Sequence, residues 1–142
     1  MKVLVDTSVW SLALRRPANH PLSPKQRATV SALGDLVRDG RAMMIGAIRQ
    51  ELLSGIKTES QFELVRDSLG AFEDVLMSRK IYESAAHAFN SCRVNGVQGS
   101  NTDFLICAVS ILHHVPIFSL DGDFKMYQQW LPVQLYVEPS PI

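Results

Sequence analysis

Four acidic residues stand beside hydrophobic runs, where a strand or helix would begin or end: Asp6, Glu51, Asp103 and Asp121. Asp6 follows the apolar run 3–5, and Asp121 follows the mostly apolar run 116–120. Asp103 opens the almost wholly apolar stretch 104–112. Carboxylates placed after parallel strands converge at one edge of a sheet. Because carboxylate oxygens suit Mg²⁺ or Mn²⁺, the pattern predicts a divalent-metal site, and metal without other catalytic groups indicates phosphate chemistry.

Each acid also has an ordinary structural explanation. Asp103 suits the first turn of a helix, where the macrodipole favours an acid by roughly 0.3–1 kcal/mol, and Asp6 could cap the helix that follows it. Asp121 could form a turn with Gly122, and Glu51 could lie on a solvated helix face. However, the apolar neighbours of these acids place most of them near the core. Two carboxylates about 4 Å apart repel by about 4 kcal/mol at an effective dielectric of about 20, so a cluster needs a cation or raised pKa values.

Hydroxyl groups adjoin the acids at Thr7, Ser8 and Ser119. They are predicted to orient the carboxylates or to hold water beside the ion. Other catalytic signatures are missing from the sequence, which contains no GxxxxGKS/T or GxGxxG phosphate loop, no HExxH motif and no GxSxG motif. Nucleotide-loop, zinc-protease and serine-hydrolase chemistry are therefore disfavoured.

Strands and helices are predicted to alternate along the chain. The predicted strands are 2–5, 42–45, 75–77, 115–119 and 133–137. The predicted helices are 9–14, 24–39, 47–54, 60–69, 79–94, 103–113 and 124–130. Helices between strands imply crossover connections, so the predicted fold class is α/β, with a mostly parallel central sheet of four to five strands flanked by helices. The length of 142 residues fits a single domain, 1–142.

Side chains that can cap helices set the predicted helix starts. Ser23 precedes Pro24 at the start of the second helix. Ser60 and Glu63 fit a capping box. Asn101 or Thr102 is expected to cap the apolar helix 103–113.

Composition and charge exclude several classes of protein. Hydrophobic residues make up 46% and charged residues 20% of the chain, as in globular soluble proteins. No apolar run could span a bilayer and the first residues resemble no targeting peptide, so we expect a cytoplasmic protein without membrane contact. Fourteen basic and fourteen acidic residues balance, so nucleic-acid binding would depend on local patches. Cys92 and Cys107 form no metal-ligand pattern and are predicted to be reduced core residues.

Four segments, in the expected order and spread over nearly the whole chain, resemble the PIN-domain ribonucleases and, more narrowly, the VapC toxins of toxin–antitoxin pairs: 1–10, 48–52, 101–108 and 116–124. The resemblance implies an Mg²⁺- or Mn²⁺-dependent endoribonuclease in which metal-activated water attacks a phosphodiester. The implied catalytic residues are Asp6, Glu51, Asp103 and Asp121. The implied metal ligands are Asp6, Asp103 and Asp121, and Asp123 would be a supporting acid. The inclusion of Glu51 depends mostly on this resemblance.

Substrate and partners are likewise implied by the resemblance. The substrate would be structured RNA, tRNA or rRNA, whose cleavage halts translation. The protein would be a homodimer neutralised by a VapB-like antitoxin, whose C-terminal tail crosses the acidic groove. Candidate RNA-contacting residues are Arg15, Arg16, Lys25, Arg27 and Arg93, although ordinary surface charge explains them equally well. Arg49 lies two residues from Glu51, on nearly the opposite helix side, and is not expected to contact substrate.

Two other functions stay open. One is a PIN-type nuclease of RNA processing or DNA repair that has no antitoxin. The other is a catalytically silent module that keeps the fold and binds RNA or a protein. The presence of all four acids favours an enzyme.

Overall fold

A computed structural model describes residues 1–15 and 19–139. The strands are β1 (Val3–Val5), β2 (Ala42–Met43) and β3 (Ile117–Phe118). The helices are α1 (Thr7–Leu14), α2 (Pro24–Arg38), α3 (Gly46–Leu53), α4 (Glu59–Leu69), α5 (Arg79–Val94), α6 (Asn101–His113) and α7 (Asp123–Tyr127). Among these helices there is none with the length and apolar character needed to cross a membrane. The predicted alternation of strands and helices is confirmed.

The sheet has the order β2-β1-β3, and both pairings are parallel. The central strand β1 is covered on both faces, and its three residues are 0% exposed. Helical crossovers connect the parallel strands, as the α/β prediction requires. The carboxyl ends of β1 and β3 therefore meet at one edge, because Val5 pairs with Phe118 in register.

The two outer strands were predicted to be longer than they are. Segment 75–77 is reduced to a parallel bridge between Met44 and Asp74, and segment 133–137 to a bridge between Ile117 and Leu135. The sheet thus has three strands in the described residues rather than four to five. Leu76 is 89% exposed, so the first of these segments has too little apolar surface to bury for pairing to continue.

The apolar helix α6 lies at the centre of the molecule. Its buried residues are Phe104, Ile106, Cys107, Ala108, Val109 and Ser110. Helix α5 packs along it, with the rings of Phe89 and Phe104 edge to face at 5.4 Å. Cys92 on α5 and Cys107 on α6 are both buried and free, as predicted. An acid in the first turn of α6 is therefore fixed in place by a buried helix.

Helix caps agree with the sequence in part. Ser23 caps α2 in a capping box with Gln26, as its Pro24 neighbour suggested. Helix α4 begins at Glu59, one residue before Ser60, because the Thr58 hydroxyl accepts the backbone N–H of Gln61 and caps the helix. Helix α6 is capped by Ser100, one residue before the predicted candidates. A capping residue must itself have an extended backbone, as Thr58 and Ser100 do, and the local sequence does not specify which residue adopts it.

Candidate metal centre

Four elements bring acids to the carboxyl edge of the sheet. Asp6 ends β1 and caps α1, and its backbone N–H donates to Phe118 O at 2.8 Å. The segment after β3 carries Ser119 and Asp121. Helix α6 supplies Asp103 in its first turn, and helix α3 supplies Glu51. The parallel register of β1 and β3 is what places the first two segments side by side.

Asp6 is held by two serines from these two segments. Its Oδ2 accepts the hydroxyls of Ser8 and Ser119, each at 2.7 Å. The Ser8 backbone N–H also approaches Oδ2, at 3.4 Å. Only 5% of Asp6 is exposed. We call Asp6, Ser8 and Ser119 the serine bridge.

The serine bridge also fixes the backbone that leads to Asp121. The Ser8 hydroxyl oxygen accepts the N–H of Leu120 at 2.9 Å. The Ser119 hydroxyl oxygen accepts the N–H of Asp121 at 2.9 Å. Both hydroxyls therefore donate to one carboxylate and accept from one loop, which couples the end of β1 to the loop after β3.

Three carboxylates come together beside this bridge. Asp103, Asp121 and Asp123 each offer an oxygen within 4.8 Å of the others. The backbone N–H of Asp123 donates to Asp121 Oδ1 at 2.9 Å. We call these residues the three-carboxylate group. Asp103 is half-buried, whereas Asp121 and Asp123 are exposed.

The pKa of Asp103 is raised above its ordinary value. Burial is the largest cause, and the charges of Asp6 and Asp121 raise the pKa further. Hydrogen bonds from Tyr127 and Ser100 act in the opposite direction. The Asp121 N–H donates to Ser119 of the serine bridge, so the serine bridge and the three-carboxylate group are adjacent. We call the two together the acidic edge.

Glu51 reaches the same edge through Thr7. The Thr7 hydroxyl donates to Glu51 Oε1 at 2.7 Å, and Thr7 directly follows Asp6. Glu51 is exposed. The structure thus brings all the predicted site residues to one region. Within the described residues, neither Asp6 nor Glu51 belongs to the three-carboxylate group.

Tyr127 was not predicted to be a site residue. Its hydroxyl donates to Asp103 Oδ2 at 2.6 Å, and its side chain is 0% exposed. Burial and the carboxylate of Asp103 both raise the pKa of Tyr127. An isolated tyrosine in a short helix carries no signal of such a contact, which spans 24 residues.

Basic side chains do not neutralise the three-carboxylate group through the ion pairs that the structure describes. Those pairs join Arg38 to Asp35, Arg49 to Asp74 and Arg66 to Asp67. Three oxygen donors of like charge, near enough to share one position, fit a hard divalent cation. The donor set therefore fits the implied Mg²⁺ or Mn²⁺.

Arg49 binds the segment after α4 and not the acidic edge. Its guanidinium donates to Asp74 Oδ1 at 2.8 and 3.0 Å, to Leu69 O at 2.9 Å and to Phe72 O at 2.6 Å. This agrees with its predicted exclusion from substrate contact. Of the basic candidates, Arg27 donates to Leu22 O at 2.8 Å, and Arg16 lies outside the described residues.

The PIN domain family model matches residues 3–128 of the chain. The chain belongs to the PIN-domain family. This confirms the resemblance seen in the four motif segments, and the family is one of nucleases. No curated protein sequence matches this PIN domain significantly.

Solved structures share the fold of this PIN domain. FitAcB from Neisseria gonorrhoeae is 16% identical, with a TM-score of 0.73 over 96% of this chain and 97% of that one. VapBC2 from Rickettsia felis, bound to a DNA fragment from its promoter, is 18% identical, with a TM-score of 0.72 over 96% and 98%. FitAB bound to an IR36 DNA fragment is 18% identical, with a TM-score of 0.69 over 94% and 93%. At these identities the likeness concerns the fold.

Proposed function

We propose that this PIN-domain protein is a divalent-metal-dependent endoribonuclease and the toxin of a type II toxin–antitoxin pair. The observation that carries the proposal is the three-carboxylate group, whose oxygens lie within 4.8 Å of one another beside the buried Asp6. Such a group has no evident structural use, because like charges at this distance repel. It is well suited to holding a cation.

Asp103 and Asp121 are the proposed ligands common to sequence and geometry, and Asp6 completes the ligand set implied by the family. Asp123, expected as a supporting acid, offers a further oxygen at the same position. The serine bridge fixes Asp6 and the loop of Asp121 before an ion arrives. A bound Mg²⁺ or Mn²⁺ supplies Lewis-acid activation of water and of the phosphodiester.

Glu51 is the proposed residue for orienting the attacking water. The Thr7 hydroxyl donates to Oε1 of Glu51 at 2.7 Å. In the residues that the structure describes, Oε2 accepts no hydrogen bond, so it is the atom free to accept a water proton. The exposure of Glu51 is consistent with a surface that must admit a large substrate.

The toxin role is supported by the likeness to VapBC2 and FitAB. VapC-type toxins are the PIN partner in such pairs, and we propose a VapB-like antitoxin as the partner of this chain. The proposed substrate is structured RNA, either tRNA or rRNA, and the proposed assembly is a homodimer.

The test is RNA cleavage by the purified chain, freed of any partner. Total tRNA and rRNA are incubated with protein in Mg²⁺, in Mn²⁺ and in EDTA. The wild type and Asp67→Asn are expected to cleave only with metal, and Asp121→Asn is expected to be inactive. Asp67 is an exposed acid paired with Arg66, so its substitution controls for a general loss of charge.

Three outcomes would contradict parts of the proposal. Cleavage that persists in EDTA or in Asp121→Asn would overturn the metal mechanism. RNA binding without cleavage under either metal would favour the silent binding module. Cleavage in vitro without growth arrest on expression would favour an RNA-processing nuclease that has no antitoxin.

A further inference from the structure

Tyr127 is the buried donor to the three-carboxylate group. Its ring packs against Phe104 at 5.0 Å and Phe124 at 5.3 Å, and its hydroxyl donates to Asp103 Oδ2 at 2.6 Å. The side chain is 0% exposed, so packing holds the ring in this orientation. The hydrogen bond is therefore a fixed feature of the site.

Gly99 leaves the space that the tyrosine hydroxyl occupies. A Cβ at this position would lie 2.2 Å from Tyr127 Oη and 2.8 Å from its Cζ. No side chain can approach so closely, so any residue other than glycine would displace the tyrosine. The loop before α6 is thus shaped around the hydroxyl that contacts Asp103.

The hydrogen bond divides the two oxygens of Asp103. Oδ2 is engaged by Tyr127, which is the buried one of the two side-chain donors to this carboxyl, because Ser100 is exposed. Asp121 is in a similar state, since its Oδ1 accepts the N–H of Asp123. The hydrogen bond from Tyr127 uses one lone pair of Oδ2, so coordination through both oxygens is less favourable for Asp103 than coordination through Oδ1 alone.

The number of oxygens offered affects which ion fits. Ca²⁺ takes six to eight oxygens and readily uses both oxygens of a carboxylate. Mg²⁺ takes six ligands in a tight octahedron and keeps several waters, so single-oxygen carboxylates suit it. Restricting Asp103 to one oxygen therefore disfavours the larger ion.

We propose that Tyr127, positioned by Gly99, determines the ion preference of the site by restricting Asp103 to single-oxygen coordination and thereby favouring Mg²⁺ and Mn²⁺ over Ca²⁺. This inference rests on the proposed metal-dependent function. Tyr127 acts here through Asp103 and is a positioning residue.

The test measures ion binding directly. Metal-stripped wild type, Tyr127→Phe and Tyr136→Phe are titrated by calorimetry with Mg²⁺, Mn²⁺ and Ca²⁺ separately. Tyr127→Phe keeps the ring and removes the hydroxyl. Tyr136 is the matched control, because its ring packs on Phe118 at 5.1 Å and no hydrogen bond of the described residues joins it to Asp103.

In Tyr127→Phe, the ratio of the Ca²⁺ to the Mg²⁺ dissociation constant is expected to fall by about threefold to tenfold, and the control keeps the wild-type ratio. If Tyr127 had a merely structural role, its substitution would weaken the binding of all three ions together and leave the ratio unchanged. That result would overturn the inference. Wild type that binds none of these ions would overturn the proposed metal dependence itself, so the two failures are distinct.

Gly99→Ala is a second way to remove the hydrogen bond between Tyr127 and Asp103. It should displace the tyrosine hydroxyl and shift the ion ratio in the direction of Tyr127→Phe. Added to Tyr127→Phe, it should produce no further shift, because the hydroxyl is already gone. An unchanged ratio in the single Gly99→Ala variant, or an additive shift in the double variant, would contradict the proposed role of the glycine.

Discussion

The serine bridge and the three-carboxylate group differ in how far hydrogen bonds stabilise their negative charge. In the serine bridge a single buried carboxylate accepts two hydroxyls at 2.7 Å, and its donors come from two different segments. In the three-carboxylate group three acids share one space. Its donors within the described residues include the Tyr127 hydroxyl and the Asp123 N–H.

This difference separates stability from binding within one acidic edge. Donors that the fold supplies stabilise the Asp6 carboxylate with or without an ion. The three-carboxylate group has more charge than its donors can stabilise, and the raised pKa of Asp103 reflects this. We expect the serine bridge to stabilise the ion-free fold and the three-carboxylate group to destabilise it, as binding sites commonly do.

The largest expected effect separates activity from stability at Asp103. Asp103→Asn should reduce metal-dependent RNA cleavage by at least about 100-fold, because a ligand is lost. In EDTA the same variant should be slightly more stable, by less than about 1 kcal/mol, because solvent screens the charge of this half-buried carboxyl. The raised pKa means that the charged form is disfavoured in the fold, so a neutral side chain removes this cost at neutral pH.

Two measurements check this prediction, cleavage rate with Mg²⁺ and thermal unfolding in EDTA. Asp67→Asn, which alters an exposed acid paired with Arg66, should change neither. A lower Tm for Asp103→Asn in EDTA would show that the three-carboxylate group stabilises the fold, which would remove the contrast between the two halves.

Asp6→Asn should change stability in the opposite direction. The neutral amide oxygen accepts the two serine hydroxyls more weakly than a charged carboxylate oxygen does, and the buried NH2 group needs an acceptor. The free energy of unfolding in EDTA should therefore fall by about 2 kcal/mol. Denaturant unfolding of Asp6→Asn and Asp103→Asn under identical conditions measures the difference in sign. Equal effects of the two substitutions would contradict the division of roles.

Alkaline pH should affect the helix that carries Asp103. Burial, and to a smaller extent the charge of Asp103, raises the pKa of the Cys107 thiol above its ordinary value of 9.0. The folded state therefore holds this proton more tightly than the unfolded state does. The stability that it contributes is complete below pH 9.0 and is lost as the pH rises above it, by up to about 1.4 kcal/mol per pH unit.

Denaturant unfolding between pH 8 and pH 10.5 would measure this slope. Cys107→Ala should have a shallower slope than wild type, whereas a serine-bridge variant should keep the wild-type slope. Identical slopes in wild type and Cys107→Ala would mean that this thiol does not contribute to the pH dependence.

The smallest effect is expected at Ser119. Ser119→Ala removes one donor to Asp6 and one acceptor for the Asp121 N–H, and should lower the free energy of unfolding by about 1 kcal/mol. Ser68→Ala is the matched control, because its hydroxyl binds only a helix carbonyl, Leu64 O, at the surface. If the two variants are equally stable, the serine bridge is not the stabilising half.

The sequence predicted features that depend on neighbouring residues. The extended run before Asp6, the cap at Ser23 and the apolar helix that begins near Asp103 all have signals within a few positions, and all are confirmed. The edge strands were overestimated, because a run such as 75–77 pairs only if a partner and a cover exist. The residues of the run do not indicate whether a partner strand and a covering element are present.

Two contacts of the acidic edge lay beyond any local signal. The Ser119 hydroxyl meets Asp6 across 113 residues. Tyr127 meets Asp103 across 24 residues, in a space that exists only because residue 99 is glycine. Each is a consequence of how distant segments pack, so neither spacing nor periodicity could indicate it.

The sequence by itself determined the chemistry available to this protein: which acids follow apolar runs, and that carboxylates with neighbouring hydroxyls are the groups at hand. Only the tertiary structure decided how they divide. The parallel register of β1 and β3 places Asp6 between two serine donors, and the packing of α7 on α6 places Asp103 with Asp121 and Asp123. The physical reason is that residue type fixes charge and hydrogen-bonding capacity, whereas distance and burial decide which charges are stabilised by the fold and which require an ion.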